Sequence, residues 1–191
     1  MISAIILASG FSNRMGENKL LLPYRDKPII EHVIDVVLSC NFNDIVLICK
    51  DSYVLNLGKR KGIKTIINKS SEKGQSEAVK LGIKDSITSS GYMFFTGDQP
   101  LIQAELIKLL LVKFEENKDL IIIPKYNYRR GSPVIFPNKY KEELLKLEGD
   151  IGGRAVINNH KNEIAFVDIT DKYFFFDVDT PEDYETLLTI I

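Results

Sequence analysis

Two cations and three carboxylates stand out by residue type and by position. Arg14 and Lys19 follow an apolar run that stops at the small residues Ala8, Ser9 and Gly10. Asp98 sits in Gly97-Asp98-Gln99-Pro100, just past the apolar segment Tyr92–Phe95, and Asp177 and Asp179 stand in Asp177-Val178-Asp179-Thr180-Pro181. A guanidinium and an ammonium beside small residues suit a triphosphate: the charges pair with it and the backbone approaches it closely. A carboxylate at the end of a strand suits Mg²⁺, which takes one or two carboxylates and leaves its remaining positions to phosphate and water. Asp177 and Asp179 lie two residues apart and share a face if they lie on a strand. Each feature also has a plain reading. The first loop is then a solvated turn, Asp98 caps a helix opening at Leu101, and the late aspartates cap or solvate.

Two further groups join these. Gly74-Gln75-Ser76 places an amide and a hydroxyl at the start of a helix, where Gln75 suits a base edge or ribose and free N–H groups suit a phosphate. The segments Arg129-Arg130-Gly131-Ser132-Pro133 and Gly149-Asp150-Ile151-Gly152-Gly153-Arg154 combine glycine with arginine, as a site for an anionic second substrate would, or as two ordinary turns would. The first loop fits neither common nucleotide fingerprint. Gly10 and Gly16 do not form G-x-G-x-x-G, and no Lys-Ser/Thr follows Gly16 as a P-loop requires. His32 and His160 have no evident catalytic or metal-binding partner in sequence.

These residues need elements to hold them. Ile2–Leu7 is apolar apart from Ser3 and has the length of a strand buried on both faces. Pro28 opens a helix with Ile30, Val33, Ile34 and Val37 on one stripe. Ile45–Cys49 is a second strand, a helical stretch carries Tyr53, Leu55 and Leu57, and Ile63–Ile67 is a third strand. Glu72–Glu77 is a polar loop before a helix with Ala78, Val79, Leu81 and Ile83. Tyr92–Phe95 is the fourth strand, Leu101–Phe114 a helix, and Leu120–Ile123 a fifth strand cut off by Pro124. Later come a short strand Val134–Phe136, a helix Tyr140–Leu147, a turn and helix within Gly149–Asn158, strands Glu163–Asp168 and Tyr173–Val178, and a closing helix Thr180–Ile191. Thr180, Pro181 and Asp183 give that last helix the pattern of a capping box. Alternating strands and helices call for an α/β fold: three layers, α/β/α, around a mostly parallel Rossmann-like sheet, in a single domain over 1–191. Ligands then bind beyond the carboxyl ends of the strands, where both loops and the acidic turn fall.

Bulk composition narrows the class. The chain has 191 residues, 45% hydrophobic and 27% charged, with a formal net charge of -1. That balance excludes a globally basic nucleic-acid binder and leaves room for a local cationic pocket. Cys40 and Cys49 have neither the number nor the spacing of a metal knuckle or disulfide framework and read as inert core thiols. No segment reaches transmembrane length, and no basic residue precedes the first apolar run, so a cytoplasmic protein without membrane or nucleic-acid partners is expected.

The order of these motifs resembles the molybdenum cofactor cytidylyltransferase family, nucleotidyltransferases of GT-A-like fold. The family pattern L-A-A-G-x-S-x-R-M-G-x-x-K-L-L is similar to Leu7–Leu21, G-D-Q-P to Gly97–Pro100, G-x-P-x-x-F to Gly131–Phe136, G-D-x-G-x-R to Gly149–Arg154, and D-x-D-T-P-E-D to Asp177–Asp183. The resemblance implies transfer of CMP from CTP to the terminal phosphate of molybdenum-molybdopterin, with release of pyrophosphate. It implies nucleotide contacts from Leu7, Ala8, Ser9, Gly10, Ser12, Met15, Gly16, Gln75, Ser76 and Gln99. It implies catalytic roles for Arg14, Lys19 and Asp98, and Mg²⁺, or Mn²⁺ in its place, on Asp98 with Asp179 or Asp177. Gly131, Ser132, Asp150 and Arg154 would face the second substrate, and a molybdenum hydroxylase would be the client. Two positions depart from the pattern. Ser9 stands where cytidylyltransferases have Ala and guanylyltransferases have Gly, and Ser132 replaces a histidine. Two alternatives stay open: another nucleotidyltransferase of this fold, using GTP or acting on a sugar phosphate, and a maturation factor that carries molybdenum cofactor without catalysis.

Overall fold

The computed structural model describes residues 1–12, 14–87 and 90–190. In chain order the elements are β1 (Ile2–Ala8), β2 (Pro23–Tyr24), β3 (Lys27–Pro28), α1 (Ile29–Leu38), β4 (Asp44–Cys49), α2 (Ser52–Arg60), β5 (Lys64–Ile67), α3 (Gln75–Asp85), β6 (Gly91–Thr96), α4 (Ala104–Glu116), β7 (Ile121–Tyr126), β8 (Arg129–Arg130), β9 (Val134–Pro137), α5 (Lys141–Leu145), α6 (Arg154–Asn159), β10 (Ile164–Asp168) and α7 (Pro181–Thr189). The main sheet runs β10-β7-β9-β6-β1-β4-β5, with β8 paired to the end of β7. β1 pairs parallel with both β4 and β6, and β4 pairs parallel with β5. β9 lies antiparallel between β6 and β7, so the parallel order breaks there.

β1 is central because its sequence tolerates burial on both faces. Ile5 packs with Val46, Ile48, Ala78, Val79 and Ile83 on one side of the sheet. Ala4 and Ile6 pack with the α1 residues Ile30, Val33 and Ile34 and the α4 residues Leu106 and Leu110 on the other. The result is the expected α/β/α layering. Gly82 allows α3 to lie directly on β1, since a Cβ there would meet Ile5 Cγ2 at 2.4 Å. The predicted capping box of the last helix is present: Thr180 Oγ1 accepts from Asp183 N at 3.2 Å, and Asp183 Oδ2 accepts from Thr180 N at 2.8 Å. Among the described residues no helix is long and apolar enough to cross a membrane. Cys40 and Cys49 are both buried and free, and burial pushes the Cys49 thiol up to about 11.

Three sequence expectations need correction. Pro124 does not end its strand, which continues to Tyr126. Proline lacks a donor but keeps its carbonyl, and that carbonyl accepts from Gly131 N at 2.9 Å. Leu101 does not open a helix: α4 starts at Ala104 with Gln103 at its N-cap position, so Asp98 caps nothing. Tyr173–Val178 is not a strand. Asp171 accepts from Tyr173 N at 2.9 Å and opens a 3₁₀ turn over Lys172–Phe175. Ile191, expected within the last helix, lies outside the described residues.

Candidate active site

The carboxyl ends of β1 and β6 lie side by side, because the two strands pair along their length up to Leu7 and Thr96. Past those ends, Gly97 N donates to Leu7 O at 3.0 Å. Gly97 must be small, since a Cβ there would stand 2.8 Å from Ile30 Cδ1. The next residue, Asp98, therefore emerges beside the loop that follows β1.

That loop folds back on itself. Ser12 adopts a left-handed φ of 51° and Gly16 one of 72°. Met15 N donates to Ser12 O at 2.9 Å, and Asn18 Oδ1 accepts from Leu20 N at 3.2 Å to start a 3₁₀ turn over Lys19–Leu21. The turn drives Lys19 into the protein, where its side chain is only 11% exposed. Its ammonium donates to Asp98 Oδ2 and to Asp179 Oδ1, each at 2.6 Å. Asp179 arrives from the far end of the chain because Val178 N donates to Asp98 O at 3.1 Å, which fixes the C-terminal segment against the end of β6. Arg14 Nη1 stands 3.7 Å from Asp179 Oδ2 with its side chain largely exposed.

The electrostatics follow from this crowding. Burial pulls the Lys19 ammonium toward neutrality, but Asp98 and Asp179 together outweigh it and raise its pKa above the ordinary value. The Lys19 hydrogen bond holds Asp179 below the usual carboxylate range against partial burial. Asp177 behaves oppositely: burial first, and the charge of Asp98 second, push it up to about 6, while a hydrogen bond from Gln99 opposes them. The second Asp98 oxygen, Oδ1, is buried with no hydrogen-bond partner among the described residues. A buried carboxylate oxygen left unpaired is costly, and a cation would remove that cost.

A cavity of about 360 Å³ opens onto this cluster. Of the residues expected from sequence, Leu7, Ala8, Ser9, Gly10, Ser12, Arg14, Lys19, Gln75, Asp98, Asp150 and Asp179 line it together. Others stand apart. Gly16 lines a second cavity with Glu17, Asn18, Lys50 and Asp51, and Met15 lines neither. Ser76 is fully buried. Gln99 is buried behind the cluster, where it accepts from Ser132 Oγ at 3.1 Å and donates to Asp177 Oδ1 at 2.8 Å. Gly131 packs under the Phe175 ring, which a Cβ would meet at 2.2 Å. Arg154 opens α6 and points to solvent.

Asp150 reaches the cavity through α3. Gln75 N donates to Asp150 Oδ1 at 3.2 Å, and Ser76 N donates to Gly149 O at 3.2 Å. Gly74 permits this contact with a φ of 99°, and a Cβ on it would collide with Gly149 C at 2.3 Å. Sequence reasoning missed Phe11, Leu20, Ser71, Thr96 and Ala78 as lining residues. It also missed Asn68, which donates to Ser9 Oγ at 3.0 Å. The available signal for Asn68 was a buried-size polar residue directly after the third strand. The two histidines lie outside the cavity: His32 Nε2 meets Tyr24 O at 2.8 Å, and His160 sits between Glu143 and Glu163.

Comparison with known proteins adds four findings. Residues 4–164 match the family described as the MobA-like NTP transferase domain. A probable molybdenum cofactor guanylyltransferase of Natranaerobius thermophilus is 29% identical over 96% of this chain and 93% of its own. The crystal structure of Rv0371c from Mycobacterium tuberculosis H37Rv superposes with a TM-score of 0.88 at 24% identity, over 99% of this chain and 97% of that one. A second structure of that protein, a complex with manganese, gives 0.84 at 21% identity, over 100% and 99% of the two chains.

Proposed function

Because the chain belongs to the MobA-like NTP transferase domain family, we propose that it transfers CMP from CTP to the terminal phosphate of molybdenum-molybdopterin and releases pyrophosphate. The observation that carries this reading is the Lys19–Asp98–Asp179 cluster at the carboxyl end of the central strand, with Arg14 at its rim. A phosphate nucleophile is already anionic at neutral pH, so no strong base is required. The protein has to bring two anions together and stabilise the charge that develops on the leaving pyrophosphate. Lys19 and Arg14 supply positive charge for that purpose. Gly10 and Ala8 let the backbone approach the nucleotide without side-chain obstruction.

Asp98 and Asp179 fit a divalent cation, and the unpaired Asp98 Oδ1 is the observation that favours it. They would hold Mg²⁺, or Mn²⁺, as the Rv0371c manganese complex suggests for the fold. A bound cation would supply charge neutralisation at the phosphates. Asp177 is the weaker candidate ligand, because Gln99 occupies one of its oxygens. Asp150 lines the cavity and is the residue left for the acceptor, whereas Gly131 and Ser132 pack against Phe175 and Gln99.

CTP is favoured over GTP by the Gly149–Arg154 and Asp177–Pro181 segments, whereas Ser9 matches neither the alanine of cytidylyltransferases nor the glycine of guanylyltransferases. The guanylyltransferase relative makes GTP the competing nucleotide. The test is an assay with molybdenum cofactor and CTP, GTP or ATP, with the dinucleotide product identified. A cytosine dinucleotide is the expected product. A guanine dinucleotide would replace the base assignment, and absence of any product would favour the carrier. Asp98→Ala should abolish pyrophosphate release while the fold survives; full turnover in that variant would refute the metal assignment.

A further inference from the structure

We propose that Asn68 is a positioning residue that fixes the Ser9 hydroxyl as a hydrogen-bond donor toward a carbonyl oxygen of the nucleotide base. The inference rests on the nucleotide-binding reading above and assigns the base end of that site. The strand order places the two ends of the cavity. Asp98 follows β6 on one side of β1, whereas Asn68 follows β5 on the other, beyond β4. The cations and the carboxylates that suit a metal therefore gather at the β6 end. Away from that cluster the cavity is also lined by Ser9, Leu7, Ala8 and Ala78, which carry no charge. Phosphates belong with the first set and a base with the second.

Ser9 and Asn68 are 7% and 2% exposed. The Asn68 amide has one orientation available. Its Oδ1 accepts from Ser70 N at 3.1 Å, so its Nδ2 faces Ser9 and donates to Oγ at 3.0 Å. Asn68 N donates to Cys49 O at 2.7 Å and holds the residue at the end of β4. A hydroxyl has one proton to give. With Nδ2–H already directed at its oxygen, Ser9 is left to donate, and no acceptor among the described residues takes that proton. The donor is thus aimed into the cavity. A polar group buried in this way discriminates strongly, because a ligand that lacks the partner leaves it unpaired. Cytosine meets it with the carbonyl at position 2; adenine has no carbonyl.

The test is equilibrium binding of CTP, GTP and ATP with Mn²⁺ and no acceptor, read by calorimetry on wild type, Ser9→Ala and Asn68→Asp. Both variants keep the side-chain volume close to the original, and thermal unfolding verifies that they fold. Ser9→Ala should weaken CTP about tenfold and leave ATP unchanged. Asn68→Asp cannot donate, so the Ser9 proton turns toward Asp and the cavity sees an acceptor. CTP should weaken by a similar factor and the CTP-to-ATP ratio should fall. Nucleotide binding with ratios unchanged in both variants would overturn this inference alone. A wild type that binds no nucleotide would overturn the proposed function and this inference with it.

Discussion

Lys19 lies between Asp98 and Asp179, the two carboxylates proposed above to hold a divalent cation. On that proposal the ammonium and the cation draw on the same two carboxylates, so the charge of Lys19 opposes metal binding. Lys19→Met should therefore raise Mn²⁺ affinity in the absence of nucleotide by about tenfold, an effect of the size expected on removing a neighbouring charge. Electron paramagnetic resonance of free Mn²⁺ measures it directly. The same variant should lose about 10²- to 10³-fold in nucleotidyl transfer, roughly 3–4 kcal/mol of barrier, because a donor aimed at the developing charge is gone. Weaker metal binding in Lys19→Met would show that the lysine assembles the site rather than competing for it. Asp98 and Lys19 were both legible as residue types, but only the structure shows that they are paired, 2.6 Å apart.

At the level of elements, two small contacts hold neighbouring segments together. Gly74 starts α3 at a φ of 99° against the Gly149 backbone. Gly74→Ala should cost about 1–3 kcal/mol through backbone strain and collision, and it should displace Asp150. Urea unfolding measures the cost, and an unchanged midpoint would contradict it. The second contact is His160, whose Nε2 is 2.7 Å from Glu143 Oε2 and whose Nδ1 is 3.1 Å from Glu163 Oε1. It ties α5, the end of α6 and the start of β10 together. The Glu143 hydrogen bond leads the causes that raise its pKa. Hydrogen bonds from Lys139 and His160 bring Glu163 down to about 2. A raised histidine stabilises fully below its unfolded pKa of about 6.5 and loses that stabilisation as pH rises through the folded value. The depressed glutamates act oppositely and lose theirs as pH falls below about 4.5. Thermal stability should therefore decline above about pH 6.5, and His160→Gln should flatten that decline.

For the whole molecule, β9 is the strand that joins β6 to β7. It runs antiparallel between β6 and β7, and its Phe136 is 2% exposed. Phe136 meets Phe94 edge-on at 5.8 Å, and a Cβ on Gly153 would stand 2.6 Å from Phe136 Cζ. The ring thus packs the sheet against the loop that leads into α6. Phe136→Ala should cost about 3–5 kcal/mol of stability, as large-to-small changes in a core do. Denaturant titration checks this, and a loss below about 1 kcal/mol would show that the surroundings collapse to fill the space.

The sequence by itself determined the layering and pointed to the candidate site. Period and length placed β1, β4, α1, α3 and α7, because an apolar run buried on both faces and a capping box are local properties of the chain. The same local logic pointed to the ends of β1 and β6, since Ser9, Gly10, Arg14, Lys19 and Asp98 all follow apolar strands. It failed at Pro124 and at Tyr173–Val178, where the ladder carbonyl of Pro124 and the side chain of Asp171 decided the conformation. Tertiary structure alone decided which charges meet. Asp179 reaches Lys19 across 160 positions because Val178 N finds Asp98 O. It also tied Asp177 to Gln99 and brought Asn68 to Ser9 across 59 positions. Such contacts depend on strand order, and strand order is a property of the closed sheet that no window of the chain contains.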